Sequence, residues 1–291
     1  MILAIASGKG GTGKTTVSAN LARMLSRQSS GVQLLDCDVE EPNCHIFLNP
    51  SEETSQSVES PVPQVDEAKC TLCGECSKVC QFNAIACLKK SVLTFPELCH
   101  GCGGCEFVCP ADAITQTGRE VGEVRSGDVN GIAFVQGRLR IGEAMAPPLI
   151  RAVKEQIDHA HTCIIDAPPG TSCPVIESIR DADFLALVTE PTPFGLNDLR
   201  LAVEMARALG LPHGVVINRS GMGDNRTNDY CSNENIPLLG EIPNDRKIAE
   251  AYSRGELIVD ALPQYRACFE AIWESVLEQV AAAAREQEVS E

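Results

Sequence analysis

Two sets of residues in this 291-residue chain have types and spacings that do chemistry. The first is Gly8-Lys9-Gly10-Gly11-Thr12-Gly13-Lys14-Thr15-Thr16, a full G-x-x-x-x-G-K-T pattern. Its glycines let backbone N–H groups turn inward around a polyphosphate. Lys14 then reaches the β/γ-phosphates, and the Thr15 hydroxyl is placed to ligate Mg²⁺. The second set is eight cysteines: Cys70, Cys73, Cys76 and Cys80, then Cys99, Cys102, Cys105 and Cys109. Each run is C-x₂-C-x₂-C-x₃-C, and the second lies 29 positions after the first (99 minus 70). Eight thiols so spaced call for metal. Zinc is the alternative to iron–sulfur clusters, but zinc sites usually pair two C-x₂₋₄-C turns rather than three-step runs.

The elements that must hold these residues follow from the pattern of apolar residues. Ile2-Leu3-Ala4-Ile5-Ala6 reads as a strand and Val17, Leu21 and Leu25 as the face of a helix, so the glycine loop lies between strand and helix N-terminus,. Without that context the loop would be a plain glycine turn. Val32-Gln33-Leu34-Leu35 reads as a second strand, running into Asp36-Cys37-Asp38-Val39-Glu40-Glu41-Pro42-Asn43. Carboxylates at the carboxyl end of a strand beside such a loop lie where Mg²⁺ and an attacking water belong. Asp38 is the candidate; alone it would be read as a turn cap. Thr162-Cys163-Ile164-Ile165-Asp166 is an apolar strand delivering one acid, Asp166, to the metal, and Gly170 follows in Pro168-Pro169-Gly170-Thr171,.

Further strands are expected at 132–135, 184–188 and 214–218, and helices at 149–157, 196–209 and 264–287. Phe269, Ile272, Trp273, Val276, Leu277 and Val280 form the apolar stripe of the last helix,. Glu270, Glu274 and Glu278 give that helix an acidic face, unlike a membrane-surface helix,. Residues 49–66 have the polar and proline-rich composition of a domain boundary, and the cysteine module closes near Gly118,. Ser91-Val92-Leu93-Thr94-Phe95 suggests a short strand inside the module, and His100 reads as an exposed loop residue rather than a ligand. So small a module folds around its metal rather than around an apolar core.

A formal charge of −16 argues against nucleic acid or anionic lipid as a partner,. No apolar run is long enough to span a membrane, and the apolar start is too short and too interrupted by Gly and Lys for a signal peptide, so a cytoplasmic protein is expected,. Fifteen cysteines in such a chain point to metal rather than disulfides,. Cys37, Cys44, Cys87, Cys163, Cys231 and Cys268 read as buried packing residues,.

With Lys9 at its start, the glycine loop resembles that of the deviant Walker A ATPases: MinD, ParA, the Mrp-type iron–sulfur carriers and the nitrogenase iron protein. The resemblance implies that Lys9 crosses a dimer interface to the partner's nucleotide. Two ATP molecules would then sit in a homodimer, or in a heterodimer with a related ATPase. It also implies that the Asp38 segment is switch I, with Asp38 orienting the water, that residues 166–171 are switch II, and that Asn218 contacts adenine. Asn218 is equally placed to cap the loop Arg219-Ser220-Gly221. The cysteine runs resemble a bacterial two-cluster ferredoxin, in which each fourth cysteine serves the other cluster. One [4Fe–4S] cluster would take Cys70, Cys73, Cys76 and Cys109, the other Cys99, Cys102, Cys105 and Cys80. Gln81 departs from the proline usual after the fourth cysteine, while Pro110 keeps it. The paired C-x-x-C of many Mrp-type carriers is absent outside the module, and Cys173 lies at an offset like that of a cluster cysteine in the nitrogenase iron protein.

The expected fold is a doubly wound, mainly parallel α/β sheet over residues 1–60 and 119–291, with an inserted ferredoxin-like domain at 64–118. The expected function is ATP binding and hydrolysis coupled to electron transfer or iron–sulfur handling through two [4Fe–4S] clusters. A nucleotide-switched assembly or positioning protein with structural or redox-sensing clusters fits the same residues. The sequence names no redox partner or client.

Overall fold

The computed structural model describes residues 1–28, 31–50 and 54–290; residues 51–53, part of the polar boundary stretch, lie outside the described residues. The chain forms two compact units. One comprises residues 1–55, 124–138 and 150–291, the other residues 56–123 and 139–149.

The strands of the chain are β1 (Ile2–Ala6), β2 (Val32–Asp36), β3 (Thr54–Val65), β4 (Ile85–Cys87), β5 (Val92–Thr94), β6 (Ile114–Val129), β7 (Ile132–Leu139), β8 (Thr162–Asp166), β9 (Phe184–Thr189), β10 (His213–Ser220) and β11 (Leu238–Pro243). In the larger unit they lie in the order β11-β10-β9-β1-β8-β2-β7. All six pairs along that row are parallel. A parallel sheet is covered on both faces, so its central strands are continuous apolar runs rather than alternating ones. Leu3, Ala4, Ile5 and Ala6 of β1 and Leu185, Ala186 and Leu187 of β9 are fully buried. The order reverses at β1, since the chain goes from β1 past β8 to β2, and later from β8 past β1 to β9. Such a switch point opens a crevice at the carboxyl ends of the strands.

Helices pack against this sheet. The principal ones are α1 (Lys14–Ser26), α2 (Cys44–Leu48), α5 (Pro147–Lys154), α6 (Cys173–Ile179), α7 (Pro193–Ala208), α8 (Arg226–Asn233), α9 (Arg246–Ser253), α10 (Ile258–Ala261) and α11 (Arg266–Ser290); the short helices α3 (Glu75–Val79) and α4 (Gly104–Phe107) belong to the smaller unit. On α11, Phe269, Ile272 and Val276 enter the main core, Trp273 and Val280 pack at its margin, and Leu277 is 44% exposed. The expected helix at 149–157 starts earlier because Pro147 and Pro148 suit a first turn, whose N–H groups have no intrahelical acceptor,. Among the described residues no helix is long and apolar enough to cross a membrane.

In the smaller unit β3 and β6 are neighbours, and β4 and β5 form an antiparallel pair. The length of β6 is not apparent from the sequence, because Gly118 reads as a breaker. Its real role is close approach: a Cβ there would lie 1.8 Å from Glu59 Oε2 on β3,. The 29-residue repeat extends to the backbone. Helices α3 (Glu75–Val79) and α4 (Gly104–Phe107) follow Gly74 and Gly103, both left-handed. Leu72 and Gly101 share a positive φ, as do Asn83 and Asp112. At the first of these pairs Leu72 holds a conformation that suits the glycine of the second run. A leucine there carries backbone strain that the fold must hold in place. Cys76, Ile85 and Ile114 form the small core of the unit, with Cys80, Cys105 and Cys109 packed against it.

Candidate functional site

The register of the parallel strands brings the acids to the loop. Ile5 and Asp36 both lie level with Asp166, so β1, β8 and β2 end together at the carboxyl edge. Lys14 opens α1 and is buried with Thr16. The Thr15 hydroxyl donates to Asp166 Oδ2 at 2.7 Å. The other oxygen of Asp166, Oδ1, is buried without a hydrogen-bond partner. A buried carboxylate oxygen left open beside a threonine hydroxyl is a donor set that suits a hard divalent cation such as Mg²⁺.

Asp36, not singled out in the sequence beside Asp38, shapes the segment that follows β2. Its Oδ2 accepts the backbone N–H groups of Asn43 and Cys44, each at 2.9 Å. Cys44 in turn donates its thiol to Asp166 Oδ2 at 3.4 Å. Burial, then the charge of Asp166, pushes the Asp36 carboxyl well up. Burial also raises Asp166, against the hydrogen bond from Thr15 and the charge of Lys14. Asp38 is half-buried, and its carboxyl is pushed up to about 6 by burial, with Lys14 pulling it down and Asp166 pushing it up. Cation charge at this edge relieves a crowd of desolvated acids.

A cavity of about 400 Å³ opens over the loop. Gly11, Gly13, Lys14, Thr15 and Thr16 line its floor, and Asp38, Glu41 and Asn43 one side. Gly13 precedes α1 at φ +99°, and a Cβ on it would meet Asn218 Nδ2 at 2.2 Å. Asn218 closes that contact from β10: its Nδ2 donates to the Thr12 carbonyl at 2.8 Å, and its Oδ1 accepts the Arg219 N–H. Gly170, on the loop after β8, donates its N–H to the Ser7 carbonyl at 2.9 Å. The far wall, formed by Pro243, Asn244, Ile248, Ala249 and Tyr252, carries no motif that would have found it. Ile248, Ala249 and Tyr252 of α9 make that wall apolar and aromatic, the lining a base favours,.

Lys9 lies beyond the loop floor, 3.8 Å from Glu190 Oε2. Glu190 is 7% exposed and also pairs with Arg219. Glu190 stands at the carboxyl end of β9, and that position is the signal which could have identified it.

The smaller unit places its cysteines in two cavities. Cys70, Cys73, Cys76 and Cys109 line one, and Cys80, Cys99, Cys102 and Cys105 the other. All fifteen cysteines of the chain are free thiols. Backbone N–H groups point at the thiols: Ala84 to Cys80 and Ala113 to Cys109 at 3.3 Å, and Gly101 to Cys99 at 3.4 Å. Each cavity thus brings together one such quartet of thiols, some already met by N–H donors, a set that suits an anionic iron–sulfur cluster,. His100 is exposed and stacks on Phe82 with ring centroids 3.4 Å apart. Cys87, expected to be a packing residue, instead lines the first cavity. Cys173 is exposed at the start of α6.

Residues 3–258 match the family described as the CobQ/CobB/MinD/ParA nucleotide binding domain. An uncharacterized protein of Methanocaldococcus jannaschii is 31% identical, over 96% of this chain and 97% of its own length. An iron–sulfur cluster carrier protein of Aquifex aeolicus is 26% identical, over 90% of this chain and 62% of its own. Among solved structures, the Pyrococcus furiosus cell division ATPase MinD superposes with a TM-score of 0.57 at 22% identity, covering 95% of this chain and 98% of that one. This last likeness is one of fold.

Proposed function

Because the chain belongs to the CobQ/CobB/MinD/ParA nucleotide binding domain family, we propose that it is an ATP-binding and ATP-hydrolysing iron–sulfur protein. It couples its nucleotide state to electron transfer or cluster handling through two [4Fe–4S] clusters. The observation that carries this reading is the sorting of eight cysteines into two cavities with Cys80 and Cys109 exchanged between the runs. That exchange is how a two-cluster ferredoxin shares its ligands. The similarity to a named iron–sulfur cluster carrier points the same way.

In this reading residues 64–118 act as an inserted ferredoxin-like domain. The cluster in the first cavity takes Cys70, Cys73, Cys76 and Cys109; the other takes Cys99, Cys102, Cys105 and Cys80. When bound, such clusters supply one-electron chemistry or cargo. At the loop, backbone N–H groups from Gly8 to Gly13 cradle the phosphates and Lys14 neutralises them. Thr15 and Asp166 hold Mg²⁺, and Asp38 positions the attacking water. Lys9 leaves Glu190 to reach the nucleotide of a second ATPase subunit. The α9 wall receives the base, and Asn218 braces the glycine loop through Thr12 and Arg219.

Anaerobic metal and sulfide analysis tests the carrying observation. Iron and acid-labile sulfide are expected together, in the amount two four-iron clusters require. Stoichiometric zinc without sulfide would overturn it.

A further inference from the structure

We propose that Cys87 is a reserve ligand of the first cluster, able to take the iron position of Cys73 when Cys73 does not hold it. The inference rests on the two-cluster reading and adds a fifth thiol to one cavity. Cys87 ends β4 and lines the same cavity as Cys70, Cys73, Cys76 and Cys109. It is weakly tethered. Its Sγ lies 3.6 Å from the Leu72 carbonyl and 3.7 Å from that of Leu88, and a thiol is a poor donor,. The Leu72 contact sets it against the strained turn that carries Cys73. A Cβ on Gly74, the next residue along, would meet the Cys87 Cβ at 4.0 Å. Within the quartet Cys76 is buried, Cys70 and Cys109 are half-buried, and Cys73 is exposed. The ligand most open to solvent therefore belongs to the loop beside the spare thiol.

The internal repeat supplies a control. Twenty-nine positions after Cys87 stands Gln116, and Gln116 lines the second cavity (87 plus 29). Its Nε2 is buried there without a hydrogen-bond partner. The repeat thus turns the same position toward each cavity. In one half the side chain can ligate iron as a thiolate. In the other it is a neutral amide, whose free Nε2 can donate a hydrogen bond to a cluster sulfur but which supplies no thiolate. The exposed cysteine of the second run, Cys102, stands 29 positions after Cys73 and has no such substitute.

The exchange is a ligand substitution without redox change. The Cys73 sulfur–iron bond breaks, the Cys87 sulfur–iron bond forms, and the Cys87 proton passes to the departing thiolate. In a Cys73→Ala chain Cys87 ligates from the outset and its proton goes to solvent.

The test uses full chains assembled anaerobically, with iron and sulfide content, electron paramagnetic resonance of the reduced protein, and alkylation mapped by mass spectrometry. Wild type and Cys87→Ala are expected to hold both clusters. Cys73→Ala is expected to keep both, with Cys87 changed from alkylated in wild type to protected. Cys73→Ala/Cys87→Ala should lose the first cluster or keep it only as a three-iron form. Cys102→Ala should lose the second, and Cys102→Ala/Gln116→Cys should recover it.

A Cys73→Ala chain that loses its first cluster, or leaves Cys87 reactive, overturns the proposal. So does loss of that cluster in Cys87→Ala alone, which would make Cys87 an ordinary ligand. A Cys73→Ala chain that cannot be recovered folded while Cys102→Ala can also counts against it, since a working reserve holds the cavity together. Wild type lacking iron and sulfide would instead sink the two-cluster reading itself.

Discussion

The two lysines of the glycine loop have different surroundings, and the difference fixes what each can do. Lys14 is buried at the helix N-terminus, the place the proposed function gives to the phosphates. The side chain of Lys9 is 33% exposed and stands 3.8 Å from Glu190. A pair with that much water around it contributes roughly 0.2–1 kcal/mol, so Lys9 can leave at small cost. Glu190 keeps Arg219 when it does. Lys14→Ala should therefore abolish nucleotide binding, whereas Lys9→Ala should still bind but lose ATP-dependent dimerisation and most hydrolysis. Sedimentation with and without ATP separates the two. A Lys9→Ala chain that dimerises and hydrolyses like wild type removes the cross-subunit role. Asn218 invites a different test, because both ends of its amide are engaged, with Thr12 and with Arg219. Losing one such hydrogen bond costs about 0.5–1.5 kcal/mol. Asn218→Ala should weaken ATP and GTP alike, by about 2- to 10-fold. Selective loss of ATP binding, measured by calorimetry, would show that the side chain reads the base.

Among the elements of the smaller unit, β6 and the segment after β7 are joined by one buried ion pair. Arg119 donates two hydrogen bonds to Glu143, one of them at 3.1 Å, and the Glu143 side chain is 1% exposed. Backbone N–H groups of Ala144 and Met145 donate to the same carboxylate. Burial pushes the Glu143 carboxyl up, but the hydrogen bonds from Arg119 and Met145 outweigh it and the net direction is down. A carboxyl lowered in the folded state stabilises above its unfolded pKa, and that contribution is lost as pH falls through the folded value. Arg119→Met should cost about 1–3 kcal/mol, since the carboxylate loses its charged donor and keeps only the backbone N–H groups of Ala144 and Met145,. The apolar double variant Arg119→Met/Glu143→Leu should recover much of that and show a shallower loss of stability in acid. Urea denaturation of the cluster-loaded protein across pH measures both; equal stability of the single and double variants would contradict the ion-pair account.

The same elements show what the sequence makes legible. The strands β1, β2, β8, β9 and β10 are readable because burial on both faces leaves uninterrupted apolar runs. The grouping of the eight cysteines about two cavities is readable from their spacing. The long strand β6 is not, since Thr, Gly and Arg interrupt its pattern and the reason for Gly118 lies on β3. Glu190 and the α9 wall escape for a related reason: each acts through a neighbour that only the fold supplies. Cys87 escapes because a single cysteine has no pattern until the repeat is overlaid on the cavities.

For the molecule as a whole, the chain passes between its two units after residues 55, 123, 138 and 149. ATP and ADP can favour different arrangements only so far as they bind them with different affinity. Couplings of this kind are usually about 1–3 kcal/mol, and reciprocity requires cluster reduction to change nucleotide affinity by the same factor. Expressed wholly as a one-electron potential, that range is on the order of 40–130 mV. An uncoupled chain would still bind ATP and still hold its clusters, as a nucleotide-switched assembly protein with structural clusters would. The decisive measurement is a redox titration of the cluster-loaded protein with ADP and with a non-hydrolysable ATP analogue. A shift between the two nucleotides within that range is expected, matched by an equal change in nucleotide affinity on reduction. Identical potentials in both nucleotide states, with affinities indifferent to oxidation state, would contradict it.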